Sequence, residues 1–207
     1  MIDPNEDLSV LLSGEFFSPH ERAALSEEMR NARKDPSRVG EQGEYVLRPG
    51  ARNSNHLSVG AQWKELVRRR LDELRPRLEA RFGRSFGAGQ KPRFLSYVEG
   101  QFFGPHRDLL LGPLEPPVVT SRSLSVIVFV NPEEYAGGTL ILRDMGVPGS
   151  KMEIKGRPGG FVAFHPLVLH EVTPVTKGER FSIACWLERA PGKRPASPAE
   201  QAQGSAE

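Results

Sequence analysis

The segment Ser123-Leu124-Ser125-Val126-Ile127-Val128-Phe129-Val130-Asn131 carries the strongest strand signal in the chain. It is β-branched and apolar enough for a strand buried on both faces. Such a strand needs a packed layer on each side, and the rest of the fold must supply both. Further strands are expected at Arg93–Val98, Thr139–Arg143, Gly160–His165 and Arg180–Leu187, with Gly- and Pro-rich turns between them. Before Pro92 the pattern is helical. Ser18, Pro19 and Glu21 have capping-box spacing with proline at the first helical position, and Ala24, Leu25, Met29 and Ala32 follow at helical intervals. A second helix starts near Gln62-Trp63, with Trp63, Leu66, Val67, Leu71, Leu74 and Leu78 on one stripe; Pro76 is expected to kink or divide it. Residues 39–60, full of Gly, Asn, Ser and Arg, read as a long loop. Helices followed by many short strands point to an α+β fold, with helices packed outside a sandwich or barrel.

The chain of 207 residues is long enough for one sizeable core and short for two. Basic residues number 28 and acidic ones 26, so charge gives no case for a nucleic-acid or membrane partner. Arg68-Arg69-Arg70 reads as the solvated face of a helix. No apolar stretch reaches the roughly 18–20 residues of a membrane span. The acidic N-terminus lacks the basic-then-apolar order of a secretory signal. The single cysteine, Cys185, lies in an apolar run and reads as core. A reducing cytoplasm is the expected location. Three regions are expected: a helical support over residues 1–91, a strand-rich core over residues 92–190, and a disordered tail, rich in Pro, Ala, Gly, Ser and Gln, over residues 191–207.

His106-Arg107-Asp108 places two potential ligands two positions apart, on one side of an extended segment. Two imidazoles and one carboxylate can occupy one face of an octahedral Fe(II), leaving three positions open. His170, after the apolar stretch Phe164–Leu169, is the natural third ligand. Arg180, ten residues further, begins an alternating strand in which an inward charge needs a reason. Lys177 is an alternative anchor, but Pro174–Glu179 reads as a hairpin turn that leaves it in solvent. His165, with Pro166 beside it, is better placed for packing than for sharing a metal with His170. His20 and His56 have no partner pattern and read as solvated or loop residues. Trp186 reads as core or pocket wall, and Gly137-Gly138 as a tight turn or bulge.

Residues 93–108 (RFLSYVEGQFFGPHRD), 123–142 (SLSVIVFVNPEEYAGGTLIL) and 159–186 (GGFVAFHPLVLHEVTPVTKGERFSIACW) together resemble the prolyl 4-hydroxylase-like Fe(II)/2-oxoglutarate-dependent dioxygenases. The resemblance covers about residues 92–188. It implies a double-stranded β-helix, or jelly-roll, core flanked by the N-terminal helices, with Fe(II) held by His106, Asp108 and His170. It further implies that Arg180 pairs with the distal carboxylate of 2-oxoglutarate, that Tyr97 helps bind the same cosubstrate, and that Asn131 and Thr139 are lesser contributors. The implied activity uses O2 to hydroxylate an unactivated C–H bond, first of all in a prolyl residue of a protein or peptide. A free amino acid or small metabolite is the alternative substrate. A noncatalytic sensor of iron and 2-oxoglutarate and a cupin-like metal site are alternative functions. Ascorbate dependence is a family-level expectation. Asp108 separates the chain from related halogenases, which lack this carboxylate. Trp186 separates it from the nucleic-acid demethylases, which have a second arginine at that position. The loop Leu109–Arg122 reads equally as a lip beside the iron and as a connector.

Overall fold

The structure is a computed structural model, which describes residues 10–13, 16–41, 44–110, 116–145 and 147–191. Two antiparallel sheets face each other, and helices cover the outer face of the larger one. The larger sheet has eight strands. From edge to edge it runs Val10–Ser13, Phe161–Phe164, Arg122–Phe129, Arg180–Arg189, Arg93–Tyr97, Asn55–Ser58 and Arg33–Pro36, with Phe86–Gly89 also paired to Arg180–Arg189. The smaller sheet runs Lys151–Ile154, Leu140–Arg143, Leu169–Val172, Phe102–His106 and Arg52–Asn53.

Arg122–Phe129 has the two buried faces its composition demands. Leu124, Val126 and Val128 join a core with Leu25, Met29, Val67, Leu71 and Leu78 from the helices. Phe129, from the opposite face, packs with Leu140, Leu142 and Val172 of the smaller sheet. The partner strand divides in the same way: Phe181, Ile183, Cys185 and Leu187 meet the helices, while Ala184 and Trp186 turn to the space between the sheets. Side chains alternate across a strand, so each of these strands builds the core with one face and leaves the other for a site. Burial against the helices pushes the Cys185 thiol upward, in keeping with a core residue.

The first helix, Pro19–Asn31, starts with a complete capping box: Glu21 N–H donates to Ser18 Oγ at 3.3 Å, and Ser18 N–H donates to Glu21 Oε2 at 2.9 Å. The second helix, Ala61–Phe82, passes through Pro76 without dividing, and ends on Gly83 in the left-handed conformation. None of the described helices is long and apolar enough to cross a membrane.

The N-terminal half is less helical than its sequence pattern indicates. Strands at Val10–Ser13, Arg33–Pro36, Asn55–Ser58 and Phe86–Gly89 extend the larger sheet, and Arg52–Asn53 extends the smaller one. The expected loop at 39–60 therefore holds strands of both sheets, together with a short ribbon of Val39–Glu41 and Glu44–Val46. Arg33–Pro36, Arg52–Asn53 and Asn55–Ser58 are short and mainly polar, and pairing with distant segments overrides their weak local preference. Of the arginine run, Arg68 and Arg69 are exposed, whereas Arg70 reaches Glu21 and the carbonyl of Phe16. The disordered tail expected from residue 191 falls, beyond Pro191, outside the described residues.

Pro76 is exposed, so its ring makes no packing contribution to offset the backbone hydrogen bond it removes. Pro76→Ala should stabilise the protein by about 1–3 kcal/mol, read as a higher urea midpoint with an unchanged slope.

Candidate metal and cosubstrate site

Strand register brings the two histidines together. His106 ends Phe102–His106, His170 lies in Leu169–Val172, and the two stand directly opposite each other in the pairing of those strands. The chain then turns so that Asp108 N–H donates to the carbonyl of Pro166 at 2.9 Å. His106 Nε2 lies 3.8 Å from Asp108 Oδ1, and His170 Nε2 lies 3.6 Å from Asp108 Oδ2. Ligand atoms of all three residues fall within 4.8 Å of one another.

Hydrogen bonds set the protonation of the cluster. Nδ1 of His106 sits 2.9 Å from the carbonyl of Gly104, and Nδ1 of His170 sits 2.9 Å from that of Val168. A carbonyl can only accept, so each Nδ1 carries the proton and each Nε2 presents a lone pair. Burial, and then the neighbouring His170, hold the imidazolium form of His106 well below its ordinary range. Burial on its own would raise the Asp108 carboxyl, but His170, His106, Arg122 and the Ser125 hydroxyl hold it below the usual carboxylate range. Ser125 Oγ donates to Asp108 Oδ2 at 2.7 Å, and Arg122 donates to the Asp108 carbonyl at 2.8 Å. Three acceptors without a proton thus converge on one point, an arrangement that a cation satisfies and that suits Fe(II) in particular. Phe103 stacks on the His106 ring with centroids 3.5 Å apart, and Phe164 packs edge-on to His170.

The three residues open into a cavity of about 510 Å³ that also contains Tyr97 and Arg180. Arg180 is 1% exposed. Its Nη1 donates to Ser182 Oγ at 2.6 Å, its Nε has no acceptor, and its guanidinium stands 5.1 Å from the Tyr97 ring. Among the described residues no carboxylate pairs with it. A buried, unpaired guanidinium is costly, and a ligand carboxylate would supply the missing charge and acceptors. Gly138, at φ +57°, leaves room for this side chain, because a Cβ there would come within 2.9 Å of Arg180 Cδ.

The other candidates lie elsewhere. Asn131 accepts from the backbone of Phe181 and donates to the carbonyl of Glu179, which pins the turn before Arg180. Neither Asn131 nor Thr139 lines the cavity. Lys177 and His20 are exposed, and His56 is half-buried in a strand rather than a loop. His165 is buried and accepts from the Leu167 N–H. Leu110 and Val119 line the cavity, although residues 111–115 between them are outside the described set. Sequence reasoning missed Ser125, Arg122, Arg52 and Phe103. The one available signal was the serines that interrupt an otherwise apolar strand, since a buried hydroxyl needs a partner.

Ser125 orients Asp108 without facing the metal position itself. Ser125→Ala should weaken metal binding by roughly ten- to a hundredfold while leaving the thermal unfolding of the metal-free protein nearly unchanged, as metal titration and a melting curve would show.

Residues 92–188 match the 2OG-Fe(II) oxygenase superfamily. A PKHD-type hydroxylase of Alteromonas mediterranea is 35% identical over 100 residues, and one of Saccharophagus degradans is 36% identical over 99. Each match covers 47% of this chain and only 42% of the relative. Among solved structures, a Pseudomonas putida prolyl-4-hydroxylase superposes with a TM-score of 0.67 at 20% identity, covering 89% of this chain and 95% of that one. A Trichoplax adhaerens prolyl hydroxylase, in complex with a hypoxia inducible factor oxygen degradation domain peptide fragment, gives 0.70 at 16% identity, covering 97% and 89%. At those identities the likeness is one of fold. The family match spans residues 92–188, a little under half of the chain, and takes in His106, Asp108, His170, Arg180 and Tyr97.

Proposed function

We propose that the chain is an Fe(II)- and 2-oxoglutarate-dependent dioxygenase that hydroxylates an unactivated C–H bond, with a prolyl residue of a protein or peptide as its first substrate class. One observation carries this reading: three proton-free acceptors and a buried, unpaired arginine face the same cavity. His106, Asp108 and His170 would hold the metal, and Arg180 with Tyr97 would hold the cosubstrate. When bound, Fe(II) with 2-oxoglutarate and O2 supplies oxidative decarboxylation to succinate and CO2, with transfer of one oxygen atom into the substrate C–H bond.

The chain's own residues orient and enclose. Two carbonyls lock the histidine tautomers, Ser125 and Arg122 hold Asp108 in place, and Arg180 fixes one end of the cosubstrate so that its other end turns toward the metal ligands. Leu95, Ile127, Leu140 and Val172 give the cavity apolar walls that exclude water. The carboxylate of Asp108 fills the position that halogenases leave to chloride, which favours hydroxylation. Two facing antiparallel sheets with the site between them support a double-stranded β-helix reading of the core over residues 92–190. Residues 1–91 support that core, cover its outer face and extend its sheets. The Trichoplax neighbour was solved with a peptide, which favours a peptide substrate.

Anaerobic addition of 2-oxoglutarate to the Fe(II)-loaded protein should produce a weak visible charge-transfer band. His170→Ala should abolish the band, and Arg180→Ala should need on the order of a hundredfold more cosubstrate to reach it, because a buried charge pair is broken. Bound iron without a band would sink the assignment and promote a cupin-like site.

A further inference from the structure

The cavity holds more positive charge than the proposed reaction accounts for. Six arginines line it, Arg38, Arg52, Arg93, Arg107, Arg122 and Arg180, and Asp108 is the one acidic side chain among its described lining residues. In the dioxygenase reading, 2-oxoglutarate has one carboxylate at Arg180 and the other on the metal side. It has none left for the remaining arginines.

Strand register separates two ends of the cavity. Arg180 stands opposite Tyr97, and Ala184 stands opposite Arg93. Residues 93, 95 and 97 on one strand, and 180, 182, 184 and 186 on the other, all face the cavity. Four residues of extended chain put roughly 13 Å between the backbone at Arg180 and that level with Arg93. Arg93 is therefore not a second hand on the same cosubstrate carboxylate.

No acidic side chain pairs with Arg93 at this second end among the described residues, and Asp108 reaches Arg52 only as a more distant charge. Arg93 has no hydrogen-bond or ion-pair partner among the described residues; its guanidinium lies 5.4 Å from the Trp186 ring and 5.8 Å from the Tyr45 ring. Arg52 is only 7% exposed, and its guanidinium donates to the Ser54 hydroxyl and the carbonyl of Arg38 while it stacks on Phe103. Burial disfavours the charge on Arg52 most strongly; Tyr97 and Asp108 favour it, and Arg93 opposes it, with a net lowering. Trp186 lines the same end with an indole N–H that has no acceptor. Guanidinium groups without an acidic partner, at a half-open end of the cavity where Arg93 is half-buried, offer a two-pronged site to an anion from outside the chain.

We propose that the substrate is an acid, with a carboxylate gripped by Arg93 toward the end of the cavity away from Arg180, Arg52 reaching it from the middle of the wall beside Phe103, and Trp186 as the flat wall next to it. This rests on the dioxygenase reading and names its substrate class. The carboxylate belongs either to a free amino acid or to an acidic side chain of a peptide. A second cavity of about 320 Å³ shares Arg38, Tyr45, Arg52, Arg93 and Leu95 with the first, so the arginine wall leaves room for a substrate that continues past it.

The test is calorimetric titration of the Mn(II)-loaded protein, saturated with 2-oxoglutarate, with benzoate and with its neutral counterpart benzamide. Benzoate should bind at one site at least about tenfold more tightly. That preference should vanish in Arg93→Gln, survive in part in Arg93→Lys, and fall in Arg52→Gln, while Arg93→Gln keeps its 2-oxoglutarate affinity. Equal binding of the two probes, no binding of benzoate, release of 2-oxoglutarate by benzoate, or a preference untouched in both glutamine variants would each overturn the proposal. Turnover of L-proline against L-prolinamide, and of an Asp-Pro peptide against its Asn-Pro counterpart, then identifies the source of the carboxylate. A neutral member turned over as well as its acid counts against the proposal. Failure to bind 2-oxoglutarate at all sinks the dioxygenase reading instead, and leaves the benzoate comparison to be read on the metal-loaded protein.

Discussion

Two neighbouring strands, Arg122–Phe129 and Arg180–Arg189, carry the structure because each is buried on both faces and serves a different purpose on each. Strict alternation lets one face be wholly apolar, closing a core with the helices, while the other presents Ser125, Arg180, Ser182 and Trp186 to the space between the sheets. The apolar face contributes the stability against which costly polar burial on the other face can be maintained. A charged residue such as Arg180 would be hard to keep at the centre of a sheet whose second face was solvated and mobile. Here its neighbours along the chain, Phe181 and Ile183, are held in a packed interior.

The same alternation explains what could be read from the sequence. The two central strands, the capped first helix and the stripe of the second announce themselves through composition and spacing, because their burial is decided locally. His106, Asp108 and His170 were legible because ligand chemistry restricts residue types severely. Arg33–Pro36, Arg52–Asn53 and Asn55–Ser58 were not legible. Each is short and polar, and each exists because a distant strand offers it free hydrogen bonds. With them went Arg52 and His56, which read as loop residues until the sheets are assembled. Arg93 was visible as the first residue of a strand, but its missing partner is a fact of three dimensions.

The electrostatic character of the site differs from end to end. Around the histidines, lone pairs and a carboxylate converge and the protons are turned outward to backbone carbonyls. Along the rest of the wall the surroundings reverse, with guanidinium groups resting on aromatic faces. Aromatic rings suit that place, since they stabilise a cation through their faces without neutralising it. The cavity thus gathers electron pairs around the histidines and guanidinium charge along the rest of its wall.

The direct pairing of His106 with His170 has a consequence for how such a chain can change. Their separation is set by strand register, so exchanging side chains elsewhere in the cavity leaves the two imidazoles opposite each other. The segment from Arg33 to Ser58 is different: it adds edge strands to both sheets and brings Arg38, Tyr45 and Arg52 to the cavity wall without supplying any of the three clustered ligands. Part of the cavity wall is therefore written in a stretch of the polypeptide separate from the three clustered ligands, and that stretch can be rewritten, lengthened or replaced while the cluster stays as it is.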